Sequence, residues 1–280
     1  MKTILIPVDF SDTSTNALKY ATELIKDIPV EKIILLKSFY KSVYEQLLPS
    51  ADFIQLSTED IWLERNEVNE QLRSLTDSIL KKCNPTIAIQ TVISELPLLR
   101  AIHQLIAEKN PDLLIVGSDN CIVQLKESYI GQQVIGIAKT SPVPVLIVPA
   151  DASYRKIERA LVPCDFLAVS RLSLLQGKNN PIDWAHPKLM VLNIDPQLKH
   201  LSHENDHITS LKDQLAGYDF EIYYTGDEKV VDGILKFARA NDVQLITALP
   251  GKYSFFYKFT HRSTTDALAK DSNHPILILK

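Results

Sequence analysis

An internal repeat decides the architecture of this chain. Ile4-Leu5-Ile6-Pro7-Val8-Asp9-Phe10 returns as Ala160-Leu161-Val162-Pro163-Cys164-Asp165-Phe166, an apolar run stopped by proline and followed by an acid and an aromatic. Asn110-Pro111-Asp112-Leu113-Leu114-Ile115-Val116 is answered by Asp242-Val243-Gln244-Leu245-Ile246-Thr247-Ala248. Ser141-Pro142-Val143-Pro144-Val145-Leu146-Ile147-Val148 aligns without a gap to Ser272-Asn273-His274-Pro275-Ile276-Leu277-Ile278-Leu279. A chain of 280 residues is long enough for two cores of ordinary domain size. The expected division is 1–150 and 154–280, across a short polar linker at 149–155.

Within the first copy, short runs of Ile, Leu and Val alternate with segments of helical period. That is the pattern of a parallel sheet covered by helices on both faces, an α/β fold. Five strands are expected at 2–8, 32–38, 86–92, 112–116 and 143–148. Ala17, Tyr20, Ala21, Leu24, Ile25 and Ile28 predict a first helix, with Ser11 or Asp12 at its cap. A longer helix follows Ser57, where Asp60 gives a capping-box-like spacing and Leu63, Val68, Leu72, Leu75 and Ile79 form the stripe. A third starts at Pro97, a favoured first helical position, and a fourth near Gly131. The second copy repeats the plan with strands at 160–164, 188–194, 220–225, 245–248 and 275–279, but Gln176-Gly177-Lys178-Asn179-Asn180-Pro181 shortens or interrupts its first helix.

Composition narrows the function classes. Thirty basic against 34 acidic side chains give a net charge of −4. No Lys/Arg run forms the stripe that a phosphate backbone requires, so nucleic acid is not an expected partner. Cys83, Cys121 and Cys164 are far apart and have no C-x-x-C spacing, which indicates neither a disulfide framework nor a zinc site and fits a reducing compartment. The apolar run at the N-terminus breaks too early for a signal peptide, and no stretch approaches the ~20 apolar residues of a membrane span. The expectation is a cytoplasmic protein with no membrane partner.

In an open parallel sheet, ligands sit beyond the carboxyl ends of strands where the strand order reverses. Two segments meet that description. One is the exit of the first strand, Pro7-Val8-Asp9-Phe10-Ser11. The other is the exit of the fourth, Val116-Gly117-Ser118-Asp119-Asn120, with Ile130-Gly131-Gln132-Gln133-Val134 following at a helix start. Glycine permits close backbone approach, and unpaired N–H groups at a helix start point at an anion. A plainer reading stays open: Asp9 or Asp12 faces the positive end of the first helix, and Gly117 merely ends a strand.

These residues resemble the universal stress proteins, twice over and across nearly the whole chain. Nucleotide-binding members of that family carry G-x2-G-x9-G-[ST] between the fourth strand and fourth helix, followed by a short Pro-Val strand. Here Gly117, Asn120, Gly131 and Gln132 stand at those positions, ten residues rather than nine precede Gly131, and Pro144-Val145-Leu146-Ile147-Val148-Pro149 follows. Asparagine is the non-glycine residue best suited to a left-handed turn, which keeps Asn120 compatible with the loop. Gln132 removes the short side-chain donor but leaves its backbone N–H. The resemblance implies two tandem Rossmann-like domains of the adenine nucleotide alpha hydrolase type, each a five-stranded parallel sheet. It implies ATP, ADP or AMP in the first, with or without Mg²⁺, bounded by Pro7, Val8, Asp9, Phe10, Gly117, Ser118, Asn120, Gly131, Gln132 and Gln133. It also implies pairing through the fifth strands, hence an intramolecular pseudo-dimer, with a homodimer as a further level of association.

The second copy departs further. Ala248-Leu249-Pro250-Gly251-Lys252-Tyr253-Ser254-Phe255-Phe256-Tyr257-Lys258-Phe259 places aromatics where the backbone cradle belongs, so no nucleotide is expected there. His200, His203 and His207 share one face if their segment is helical, but no adjacent thiolate completes a zinc site, and a solvated polar surface is the expectation. No G-x-S-x-G, Walker or H-E-x-x-H pattern occurs, so no catalytic residue is assigned. Three functions remain: a nucleotide-responsive binding protein with an unidentified protein partner, a ligand-free interaction scaffold, and a weak ATPase.

Overall fold

The computed structural model describes residues 2–40, 58–82, 86–119, 129–164, 172, 175, 180–194, 204–248 and 274–280. The first strand, β1 (Thr3–Pro7), is buried along its whole length, as an apolar run in a parallel sheet covered on both faces must be. The helix after it, α1 (Asp12–Leu24), is capped by Ser11, whose hydroxyl accepts the Ser14 N–H at 3.2 Å. Its buried face carries Ala17, Leu18, Tyr20, Ala21 and Leu24 at three- and four-residue steps.

Then come β2 (Lys32–Ser38), α2 (Thr58–Leu80), β3 (Ala88–Ser94), α3 (Leu98–Lys109), β4 (Leu113–Ser118), α4 (Tyr129–Thr140) and β5 (Val145–Pro149). Pro97 stands at the N-cap position of α3, where its carbonyl accepts the Ala101 N–H at 3.0 Å, and Asn110 ends the helix in the left-handed conformation at φ 46°. Beyond the linker lie β6 (Arg159–Pro163), α5 (Ile182–Ala185), β7 (Lys188–Ile194), α6 (Glu204–Gln214), β8 (Phe220–Thr225), α7 (Val230–Ala240), β9 (Leu245–Ala248) and β10 (Ile276–Ile278). Ser57 and the Asp60 side chain of the expected capping box, the interrupted helix at 176–181 apart from Asn180 and Pro181, and the aromatic segment at 249–259 lie outside the described residues.

The ten strands among the described residues join one sheet in the order β3-β2-β1-β4-β5-β10-β9-β6-β7-β8. Pairing is parallel on either side of the centre. Among the described residues only β5 and β10 run antiparallel, with Ile276 opposite Ile147, Leu277 opposite Leu146 and Ile278 opposite Val145. The two sides have matching register: Thr3 pairs with Lys32 and Arg159 with Lys188, while Ile4 pairs with Leu113 and Ala160 with Leu245.

Alternate residues of each strand feed two apolar layers. One face buries Ile4, Ile6 and Val8 beneath α1 and α2 and, at the far end, Leu189 and Val191 beneath Leu211 and Leu215. The other buries Leu5, Leu114 and Val116 beneath α3 and α4, and Leu161 and Ile246 beneath α7. Burying apolar area on this scale, at ~25 cal/mol per Å², is the dominant favourable term in folding.

The linker is held from both sides. The Asn16 side-chain amide donates to the carbonyls of Pro149 and Ala152, each at 3.0 Å. Tyr154 meets Tyr20 edge-on at 5.2 Å, and Arg155 pairs with Asp242 at 2.6 Å. His274, just before β10, lies beside this linker. Burial holds its pKa below the ordinary 6.5, Arg239 and Arg155 push the same way, and Asp242 opposes them in part.

The unfolded chain therefore takes up a proton near pH 6.5 that the folded chain resists, and stability falls as pH drops from there through the folded value. Urea unfolding at about pH 7.5 and about pH 5 should show a larger loss for the parent than for His274→Gln. Equal losses in both proteins would remove His274 as a source of acid sensitivity.

Candidate functional site

In the first part of the sheet, strand order reverses between β1 and β4. The helices that follow these strands pack on opposite faces, α1 on one and α4 on the other, so a crevice opens above the two strand ends. Of the residues the sequence points to, Pro7 and Val8 form the floor: both are buried, and the Val8 N–H is taken by the Leu36 carbonyl at 2.8 Å. Their side chains support the crevice rather than line it.

Asp9 spans it. Its Oδ1 accepts the Ser11 N–H at 3.1 Å and the Ser11 hydroxyl at 2.5 Å, which closes the turn into α1. Its Oδ2 accepts the Ile130 N–H at 3.2 Å, one of the donors that helix geometry leaves unpaired at the start of α4. Asp9 thus ties the exit of β1 to the helix after β4. Between Asp9 and Ser11, Phe10 takes φ 66°, a left-handed conformation that is unfavourable for a bulky side chain. Its ring packs on the core below, with the Lys37 ammonium 4.8 Å from its centre.

Gly117 lies in β4 opposite Val148, and Ser118 opposite Pro149; the Ser118 carbonyl accepts the Ala150 N–H at 3.0 Å. A Cβ on Gly117 would stand 2.6 Å from the Thr13 carbonyl oxygen. Glycine is needed here so that α1 can press against β4. Gly131, Gln132 and Gln133 lie in the first turns of α4, with Gly131 and Gln133 half-buried. Asn120 lies outside the described residues, as do His200 and His203 of the histidine cluster. His207 lies in α6, and its side chain is outside them too. Among the described residues, no three His, Cys, Asp or Glu stand together as a metal site, and no helix is long and apolar enough to cross a membrane.

Three further side chains shape the crevice. Lys37, near the end of β2, is partly buried; burial lowers its pKa, while the carboxylates of Asp9 and Glu64 pull it partly back. The Thr13 hydroxyl donates to Asp119 Oδ1. The other oxygen of Asp119 lies over Gly131, 2.3 Å from where a Cβ would stand, so a side chain there would have to displace this carboxylate. The matching register position in the second part of the sheet differs. Val8 and Cys164 donate equivalently to Leu36 and Leu192, so Lys37 corresponds to Asn193. Asn193 is neutral, buried and hydrogen-bonded to the Cys164 carbonyl at 3.0 Å.

A parallel sheet of this order, with a helix start and glycines above the crevice where it reverses, defines the Rossmann-like nucleotide-fold class. The chain belongs to the universal stress protein family, whose profile matches residues 1–149. It is similar along 99% of its length, and over 98% of the other chain, to a universal stress protein from Archaeoglobus fulgidus, at 17% identity and a TM-score of 0.66. A putative universal stress protein from Pseudomonas aeruginosa matches 100% of this chain and 93% of its own, at 13% identity and a TM-score of 0.52. An Arabidopsis thaliana family protein with AMP bound matches 53% of this chain and 92% of its own, at 16% identity and a TM-score of 0.35. No curated protein sequence matches.

Proposed function

We propose that this chain is a tandem universal stress protein acting as a non-catalytic regulatory binder. Residues 1–150 hold one adenine nucleotide, and residues 154–280 hold none. The observation that carries the reading is the reach of Asp9 from the exit of β1 to the Ile130 N–H, which brings the first strand end against the start of α4. Lys37 adds the cation that an anionic ligand needs. Asn193 at the matching position offers no charge, which supports a ligand-free second copy. The antiparallel β5–β10 pairing supports the intramolecular pseudo-dimer. Three widely spaced cysteines with no C-x-x-C pairing fit a reducing, cytoplasmic setting.

Calorimetric titration with AMP, ADP and ATP, with and without Mg²⁺, tests this reading. The expected result is saturable heat at one site per chain, with no phosphate released. Turnover would move the reading to a weak ATPase. A flat titration with all three nucleotides would sink it in favour of a ligand-free scaffold. That second reading has its own support, because the Asp119 carboxylate already covers Gly131.

A further inference from the structure

The start of α4 already carries anions, and they belong to the chain. Asp9 accepts the Ile130 N–H, and Asp119 lies over the next residue, Gly131. Asp119 did not arrive there by accident of a loose side chain. Thr13, 7% exposed in the first turn of α1, donates its hydroxyl to one oxygen of Asp119, and the Thr13 carbonyl is itself wedged against Gly117. Asp119 is therefore held from the α1 side while it covers α4.

A helix start offers roughly half a positive charge, and two consecutive residues of this one already meet full carboxylates. A phosphate approaching Gly131 would have to displace Asp119 from Thr13, or face its charge at short range. At an effective dielectric of ~20, one like-charge pair a few ångströms apart costs enough to change affinity by tenfold or more. The penalty grows with each charge on the phosphate chain and vanishes for a neutral nucleoside.

We propose that Asp119 is the residue that sets charge selectivity at this site, an internal anion that competes with ligand phosphate and disfavours free polyphosphate. This inference rests on the nucleotide reading above. It assigns Asp119 a positioning and exclusion role, with Thr13 as its holder.

The test compares the full chain with Asp119→Asn in Mg²⁺-free titrations against adenosine, AMP and ATP. Asparagine keeps the size of the side chain and an oxygen for the Thr13 hydroxyl, and removes only the charge. ATP should bind at least about tenfold more tightly to the variant, and AMP should gain less, while adenosine stays within about twofold. Asp119→Ala, which also empties the space over Gly131, should tighten ATP at least as much, and melting curves of both variants establish that they fold. Equal shifts for ATP and adenosine, or none, with binding still measurable, would overturn the role of Asp119 and leave the nucleotide reading standing. Absence of binding by all three ligands to parent and variants alike would overturn both.

Discussion

Replacing Leu277 with aspartate is expected to lower the free energy of unfolding by about 4 kcal/mol or more, because it buries an unpaired charge. Leu277 is 2% exposed at the middle of β10, opposite Leu146 on one side and Thr247 on the other. Its side chain joins the layer that includes Leu24, Ile28, Leu113 and Trp184. Among the described residues the side chains lining this spot are apolar, so the carboxylate would have to take up a proton or pull β10 out of the sheet. Leu277→Met, which conserves volume, should cost under about 1.5 kcal/mol. Equilibrium denaturation of the two variants measures the contrast. If the aspartate variant lost less than about 1 kcal/mol, β10 could not be the central strand.

Gly117→Val should cost about 3 kcal/mol, toward the upper end of overpacking effects. The nearest atoms to the new Cβ are the Thr13 carbonyl oxygen at 2.6 Å, its Cγ2 at 2.8 Å and its carbonyl carbon at 2.9 Å. Two of these are backbone, so relief requires moving α1 as a body. Gly136, inside α4, provides the opposite case. An added Cβ there meets only Leu99 methyl carbons at 3.7 and 3.9 Å. Gly136→Ala should therefore stabilise by about 0.5–1 kcal/mol through helix propensity. Thermal unfolding should lower the midpoint for Gly117→Val and raise it for Gly136→Ala, and an unchanged or raised midpoint for Gly117→Val would refute the packing argument there.

Much of the sheet was legible in the residues. The bounds expected for β2, β7, β8 and β9 coincide with those found; β2, β7 and β9 are largely buried apolar runs, and β8 is an alternating aromatic and β-branched run. The expectation of 86–92 for β3 is two residues early: Ile87 is buried just outside the ladder, while Ile93 and Ser94 continue it opposite Lys37 and Ser38. β3 is partly exposed along its length, and the buried Ile87 just before it extends the apolar pattern past its true start. The helix expected near Gly131 begins at Tyr129.

The site was legible only in part. Asp9 and Gly131 stand out by residue type and place. Pro7 and Val8 are next to Asp9 in sequence, but strand geometry sends them into the core. Lys37 reaches the crevice only because β2 pairs in parallel beside β1, and a lone lysine near the end of an apolar strand was the available signal. Thr13 was hidden within a helix-start pattern, and Asp119 within a segment read for its glycine and asparagine. Their contact joins residues more than a hundred positions apart, and no local periodicity announces it.

The antiparallel seam between β5 and β10 has a consequence for how this molecule behaves in dilute solution. Separate subunits joined along such an edge come apart as concentration falls, whereas strands tethered in one polypeptide face each other at a fixed, high effective concentration. Their association is then insensitive to abundance, and one side can lose its own ligand chemistry while continuing to brace the other.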